Sequence, residues 1–153
     1  TLTRGELNLP VRRTARQEEV AFEPPVSADP WATEILRAEN HVRRREVDMQ
    51  TGMTSLVIED DFGKRKDKAT GLIGGSIARE RWDIHPDDPL SARGTCHWSA
   101  EIERDDTRLR TETYSEMWSD MNNFHLKARI EAFENDKQIY ERDVSNTIAR
   151  DHQ

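Results

Sequence analysis

Residues 124–132 read Phe-His-Leu-Lys-Ala-Arg-Ile-Glu-Ala, and this stretch decides the fold class. Every second residue from Phe124 to Ala132 is apolar, and every second residue from His125 to Glu131 is charged or titratable. Because successive side chains of a strand point to opposite faces, the pattern predicts one apolar and one solvated face. An antiparallel sheet with one covered face has this alternation. The stretch therefore indicates a half-buried antiparallel strand.

The neighbouring stretches continue the same pattern. Residues 134–137, Glu-Asn-Asp-Lys, predict a hairpin turn, after which Gln138–Val144 returns as a strand. On the amino-terminal side, Leu109–Met117 alternates and Asp105-Asp106 predicts a turn before it. In Arg93–Glu103 the residues on one face are Cys96, Trp98, Ala100 and Ile102.

Further towards the amino terminus, a period of two begins at residue 41. His41–Met49 and Met53–Glu59 predict a hairpin around Gly52, and Asp60–Lys64 predicts a second turn. Leu72–Ile84 predicts a long strand with a bulge at Gly74-Gly75. The segments expected to be loops are Lys64–Lys68 and His85–Pro89.

These elements predict an all-β fold. Six or seven short strands without convincing helices between them favour an antiparallel β-sandwich of jelly-roll (galactose-binding-like) type over residues 40–153. We expect a core that contains Trp98, Ile102, Phe124, Leu126 and Ile130.

Residues 1–39 differ in composition from the rest and predict an extended arm or linker. They hold four of the six prolines and show no sustained helix or strand period. Asp29 and Pro30 are suited to begin a short helix over Ala32–Ala38. The arm carries large apolar residues that need an apolar surface from the sandwich, from another domain or from a second copy of the chain. We therefore expect a homo-oligomer.

Composition excludes several classes of function. The 153 residues carry a net charge of −7, which argues against a general binder of nucleic acid or anionic membranes. Hydrophobic residues make up 34%, so the core is thin, and no apolar run reaches the length of a transmembrane helix. Cys96 is the only cysteine, so no disulfide framework is expected. We expect a cytoplasmic protein, and the start at Thr1 indicates a chain that is processed or a segment of a longer one.

One short motif resembles a catalytic one. Gly74-Gly75-Ser76-Ile77-Ala78 nearly matches the G-x-S-x-G nucleophile elbow of α/β-hydrolases. That elbow needs a buried strand before the serine and a helix after it, whereas Ala78–Ile84 runs into His85-Pro86 within two turns. A strand with a glycine bulge is the favoured interpretation, and Ser76 as a nucleophile is the alternative.

A second group has the side chains of a metal site. Asp83, His85, Asp87 and Asp88 supply oxygen and imidazole donors for a divalent ion, although they lack calcium-loop spacing. A proline-fixed turn explains the same residues without a metal. Cys96 and His97 are adjacent on one predicted strand. Because adjacent side chains point to opposite faces, these two cannot form a catalytic pair with each other.

Arg43-Arg44-Arg45 is the densest basic run, and strand geometry divides its charges between two faces. We interpret it as a solvated edge or as a contact for an acidic partner.

The tryptophans are expected to be core or interface anchors, with a carbohydrate platform as an alternative. Their positions are Trp31, Trp82, Trp98 and Trp118.

Several stretches together resemble the carboxy-terminal part of the cocaine esterase-like hydrolases, which belong with the Xaa-Pro dipeptidyl-peptidase group. The resemblance covers most of the chain, is loose over residues 12–40, and includes no catalytic motif. The stretches that carry it are Gly5–Val11, Glu46–Gly52, Asp61–Gly63, Ile84–Ala92, Arg110–Thr113, Phe124–Glu134 and Ile148–Asp151.

The resemblance implies a three-part enzyme that cleaves esters, amides or Xaa-Pro peptides. In that family an α/β-hydrolase domain carries a Ser-Asp-His triad under a helical cap, and a jelly-roll-like domain follows. This chain resembles the last part alone, so no catalytic residue, cofactor or metal ligand is carried over to it. The expected function is that of a non-catalytic accessory domain that packs on the catalytic domain. The alternative is an independent β-sandwich binding module, with carbohydrate as one ligand class.

Overall fold

The computed structural model describes residues 4–10 and 21–151. The chain divides into two compact units, residues 1–30 and residues 31–153. In the first unit, the described residues form neither helix nor strand and are exposed to solvent. Across the described ranges there is no helix of the length and apolar character that a membrane span requires.

The second unit is an antiparallel sheet of eight strands within the described residues. From β3 to β8 each strand pairs with the next one along the chain, which gives a meander. The strands are β1 (Thr33–Arg37), β2 (Asn40–Val47), β3 (Thr54–Asp67), β4 (Ile73–His85), β5 (Asp88–Arg104), β6 (Thr107–Ser119), β7 (Asn123–Glu134) and β8 (Lys137–Ala149). The predicted all-β antiparallel class is confirmed, and one continuous sheet is consistent with a β-sandwich-like fold of which these residues supply one layer.

Strands β1 and β2 lie end to end along the same edge of β3. β1 pairs with residues 64–67 of β3, and β2 pairs with residues 54–61. Between them the chain passes Gly63, whose φ is 79°. A Cβ atom at Gly63 would lie 2.8 Å from the carbonyl oxygen of Arg37. Glycine is therefore needed here both for its positive φ and for the close approach of the β1–β2 junction.

The tight turns follow their sequence signals. Gly52, with φ 80°, completes the predicted hairpin between β2 and β3. Asn135 and Asp136 both have positive φ, as a type I′ turn between β7 and β8 requires. The turn predicted at Asp105-Asp106 joins β5 to β6. Each of these hairpin predictions is confirmed.

Four local predictions were wrong. The segment Ala32–Ala38 contains strand β1 instead of a helix, so the sheet begins before the predicted boundary at residue 40. The turn expected at Asp60–Lys64 lies inside β3, which continues through it to Asp67. The loop expected at Lys64–Lys68 is therefore strand up to Asp67, where it pairs with β1. The bulge expected at Gly74-Gly75 lies opposite, in β3, where the register with β4 shifts between Asp61 and Lys64. In each case pairing with a neighbouring strand outweighed the local signal.

The predicted alternation of faces is confirmed by the register. Trp98 pairs with Thr113, Thr113 with Ile130, and Leu126 with Met117, so the apolar residues of β5, β6 and β7 share one face. The expected core is nevertheless not buried, because no second layer of described residues covers this face. Val57 and Ala78 are the buried hydrophobic residues of the described chain.

Candidate interaction surface

Alternate residues of β3 to β8 form a largely apolar surface, which we call the apolar face and which also holds Asp60, Glu80 and Arg142. The strand register places these residues on the same side of the sheet. Its large members are Leu56, Ile58, Trp82, Ile84, Trp98, Ile102, Leu109, Met117, Phe124, Leu126, Ile130, Tyr140, Val144 and Ile148. Twelve of them have 36–53% of their surface exposed, and Ile58 and Phe124 are half-buried.

The opposite face, the polar face, is covered better than the apolar one. The side chains of Glu112 and Glu101 are 12% and 15% exposed. Ile102, next to Glu101 on β5 but on the apolar face, is 53% exposed. Apolar side chains normally take the covered positions of a sheet, so this inversion marks the apolar face as a surface from which a covering layer is missing.

Carboxylates and cations of the polar face join four strands in a charged cluster. The Nζ atom of Lys64 lies 2.7 Å from Glu103 and 3.3 Å from Glu101. Arg37 lies 2.7 Å from Asp61 and 3.5 Å from Glu101. Arg108 lies 3.5 Å from Glu101 and 3.4 Å from Glu103. These ion pairs hold β1, β3, β5 and β6 in register.

Gly75 permits this cluster, since it separates Lys64 from Glu101 in a row of paired residues and has no side chain to block them. A Cβ atom at Gly75 would lie 2.8 Å from the carbonyl oxygen of Gly63. The glycine pair is therefore explained by strand packing. Ser76, next to it, lies inside β4 opposite Ala100, with none of the strand–turn–helix geometry of a nucleophile elbow.

We expect no reaction of Ser76 with a serine-reactive fluorophosphonate and no hydrolysis of activated esters by the isolated chain. A serine becomes nucleophilic when a base and an oxyanion hole are assembled beside it. Intact-mass spectrometry after incubation measures the adduct, and a Ser76→Ala variant is the control. A stoichiometric adduct that disappears in this variant would restore the nucleophile interpretation.

A serine, a histidine and a carboxylate do meet elsewhere on the polar face. Glu112 accepts a hydrogen bond from Ser99 Oγ at 3.0 Å, lies 2.6 Å from His97 Nε2, and pairs with Arg110. Burial acts to raise the pKa of Glu112, but these three partners bring it below its usual range. Because Ser99 bonds to the carboxylate and not to His97, the group does not activate the serine hydroxyl. The contacts of His97 and Ser99 with Glu112 connect β5 to β6.

The residues considered as metal ligands are engaged separately. Asp83 accepts a hydrogen bond from Ser55 at 2.5 Å and pairs with Arg81 at 2.9 Å. His85 Nε2 lies 3.1 Å from the carbonyl oxygen of Thr51, and Asp88 accepts from the backbone of Leu90. Within residues 4–10 and 21–151, no three His, Cys, Asp or Glu side chains converge in a way that suits a metal ion. The segment forms the tight connection between β4 and β5.

The basic run lies on the outer edge of the sheet, in β2. Arg43 makes a two-point contact with Asp60, and Arg44 pairs with Glu46 and Glu59. The prediction of a solvated edge with charges divided between two faces is confirmed. Cys96 and His97 also lie on opposite faces as predicted, and burial raises the pKa of the Cys96 thiol.

Two of the four tryptophans lie on the apolar face. Trp98 stacks on Phe62 with ring centroids 5.6 Å apart, and Trp82 contacts the position where a Cβ of Gly94 would be. Trp118 lies on the polar face, stacked on His125 and approached by Lys127. Trp31 is exposed. The tryptophans thus do not form one aromatic platform.

The sheet also forms a concavity of about 770 Å³ that spans the middle of β3 to β8. It is centred on one row of paired residues. That row is Ile58, Glu80, Cys96, Ser115, Ala128 and Val144. Small side chains in the middle of a row flanked by larger ones leave this space.

The charged cluster and the Glu112 group were not predicted from sequence. Each consists of polar residues on alternate positions of different strands, such as His97 and Ser99 on β5 with Arg110 and Glu112 on β6. Alternation gives the face of each residue, but contact across strands depends on register, which the sequence pattern alone leaves open.

Comparison of the chain with protein-family models, curated proteins and solved structures gave no match.

Proposed function

We propose that this chain is a non-catalytic accessory domain of a serine hydrolase, which packs through its apolar face on the catalytic α/β-hydrolase domain and shapes it. The observation that carries the proposal is the apolar face itself, a contiguous sheet surface with twelve large side chains at 36–53% exposure. The family resemblance of the sequence supplies the class of the partner.

The energetics favour a covering domain. Interfaces between domains bury roughly 600–1,500 Å². Apolar surface removed from water contributes about 25 cal/mol per Å². A surface formed by six neighbouring strands has the extent that such an interface needs. The ion pairs of the polar face already satisfy that side of the sheet, so the apolar face is the side left to a partner.

The described residues support an accessory role over a catalytic one. Ser76 lies in a regular strand, and the hydroxyls of Ser55 and Ser99 bond to carboxylates. Acyl transfer needs a serine, a base and an oxyanion hole in one place. We therefore assign the cleavage of ester, amide or Xaa-Pro bonds to the partner domain and not to this chain.

The test begins with the coding sequence immediately upstream of Thr1. We expect it to encode a serine elbow, an aspartate and a histidine in the same reading frame. That hydrolase segment, produced separately, should form a one-to-one complex with the 153-residue chain, measured by calorimetry. An upstream sequence without these residues, or no complex, would overturn the proposal.

A matched pair of variants places the interface. Ile130→Asp puts a charge on the apolar face, and Lys127→Asp puts one on the polar face of the same strand. We expect at least about tenfold weaker binding to the hydrolase segment for Ile130→Asp, because the carboxylate loses its water in the complex. Lys127→Asp should change binding about twofold or less. Equal effects of both, or specific binding of the isolated chain on a glycan array, would contradict the proposed role.

A further inference from the structure

The two outer edges of the sheet differ in their protection. On one edge, β1 and β2 are short, interrupted between Arg37 and Asn40, and carry three consecutive arginines. The other edge is β8, whose 13 residues are all exposed. No described residue pairs with its outer side. It contains no proline, and its irregularity lies at its start, opposite Ala132 and Phe133.

Edge strands usually carry devices against pairing with another chain, such as charges, prolines, bulges or interruptions. The β1–β2 edge has an interruption and dense positive charge. From Tyr140 to Ala149, β8 has regular pairing with β7 and leaves its outer backbone groups without a partner among the described residues. An edge of this length is a template for one more strand.

The hydrogen-bond parity of β8 identifies the outward groups. The backbone N–H of Arg150 donates to the carbonyl of Asn122, on the β7 side. Because antiparallel pairing alternates, the even-numbered residues of β8 bond to β7 and the odd-numbered ones point outward. The backbone groups available to a new strand therefore belong to Glu141, Asp143, Ser145 and Thr147.

The sequence of β8 suits a second copy of itself. If two β8 strands pair antiparallel about a twofold axis at Val144, Asp143 faces Ser145 and Glu141 faces Thr147 through outward backbone groups. On the apolar face, Tyr140 faces Ile148. This register places no like charges opposite each other, whereas centring on Asp143 or on Arg142 opposes two aspartates or two arginines.

We propose that two copies of this chain pair through β8, antiparallel and centred on Val144, into one continuous sheet. The pairing keeps both apolar faces on the same side, so it leaves them available to other partners. An isologous contact of this kind closes as a dimer, because the contact uses up the β8 edge of both copies. The proposal does not depend on the hydrolase assignment.

Sedimentation over a concentration series tests the assembly. We expect the mass to approach twice the 17.8 kDa of the chain. Ser145→Pro removes an outward N–H without a bond to β7 and should weaken self-association at least about tenfold, whereas Ser145→Ala should leave it unchanged. Circular dichroism checks that each variant is folded. A wild-type chain that stays monomeric, or a dimer unaffected by Ser145→Pro, would overturn the proposal.

Cysteine cross-linking tests the register with no loss of pairing. In a Cys96→Ser background, Val144→Cys places two thiols in a non-hydrogen-bonded pair with Cα atoms about 4.5 Å apart, within disulfide range. Thr147→Cys places them six residues apart along the strand, or about 20 Å. We expect a disulfide dimer on mild oxidation for Val144→Cys and not for Thr147→Cys. Equal cross-linking of both variants, or none, would contradict this register.

Discussion

Replacing Gly63 by alanine is expected to lower the free energy of unfolding by about 2–4 kcal/mol, the sum of a strained backbone conformation and overpacking. The φ of Gly63 is 79°, which non-glycine residues rarely adopt. In addition, the new methyl group would lie 2.8 Å from the carbonyl oxygen of Arg37, a backbone atom that cannot rotate away. Urea unfolding followed by circular dichroism measures the change.

Gly71→Ala is the matched control. Its φ is 72°, close to that of Gly63, but a Cβ atom there would have no neighbour within 4 Å. We expect a loss of about 1–2 kcal/mol, which reports the backbone term alone. The difference between the two variants then measures how tightly the β1–β2 junction packs on β3. Equal losses would contradict the close approach at Gly63.

How far the sequence predicts this fold depends on the strand. For β5, β6 and β7 the strict alternation of apolar and polar residues gave the correct element, face and turns. Ala32–Ala38 was interpreted as a helix because Asp29 and Pro30 are a good helix start. The segment forms β1 instead, since it pairs with Lys64–Asp67, about 30 residues later in the chain. A pairing at that distance leaves no local signature.

The core shows a different limit of sequence-based prediction. Trp98, Ile102 and Ile130 were assigned to one face correctly, yet each is substantially exposed. Alternation shows which side of a strand is suited to burial, but not whether the covering layer belongs to the same chain. The apolar face and the β8 edge therefore became visible as surfaces through the structure, even though their residues were apparent in the sequence.

The sheet gains unusual support from charge. Within the described residues, the apolar face is not covered and no disulfide is formed. Ion pairs and carboxylate hydrogen bonds connect most neighbouring strands. The carboxylates whose pKa lies below its ordinary value accept hydrogen bonds from cationic or histidine side chains or, as at Asp48 and Asp67, from the residues of a turn. They are Glu46, Asp48, Asp60, Asp61, Asp67, Glu103, Glu112 and Asp120.

Stability should consequently fall steeply in acid. Each of these carboxylates binds its proton less readily in the folded state than in the unfolded state, so folding is favoured at pH values above the unfolded pKa of about 4. That contribution is lost as the pH falls through the folded-state pKa values of these carboxylates. The pKa of Asp120 is lowered to about 2, mainly by its hydrogen bond from His125. We expect the thermal midpoint to drop by roughly 10 °C or more over this range.

A substitution of Glu112 separates this mechanism from a general effect of acid. Glu112→Gln keeps the size of the side chain but removes the charge that His97, Ser99 and Arg110 stabilise. It should lower the midpoint at neutral pH and make the midpoint less dependent on pH, because one proton-linked group is gone. Glu134→Gln, at the exposed end of β7, should leave both the midpoint and its pH dependence close to those of the wild-type chain. A midpoint that is flat into acid, or an equal response of the two variants, would mean that ion pairs contribute little and that the sheet is held by its backbone ladder and apolar contacts.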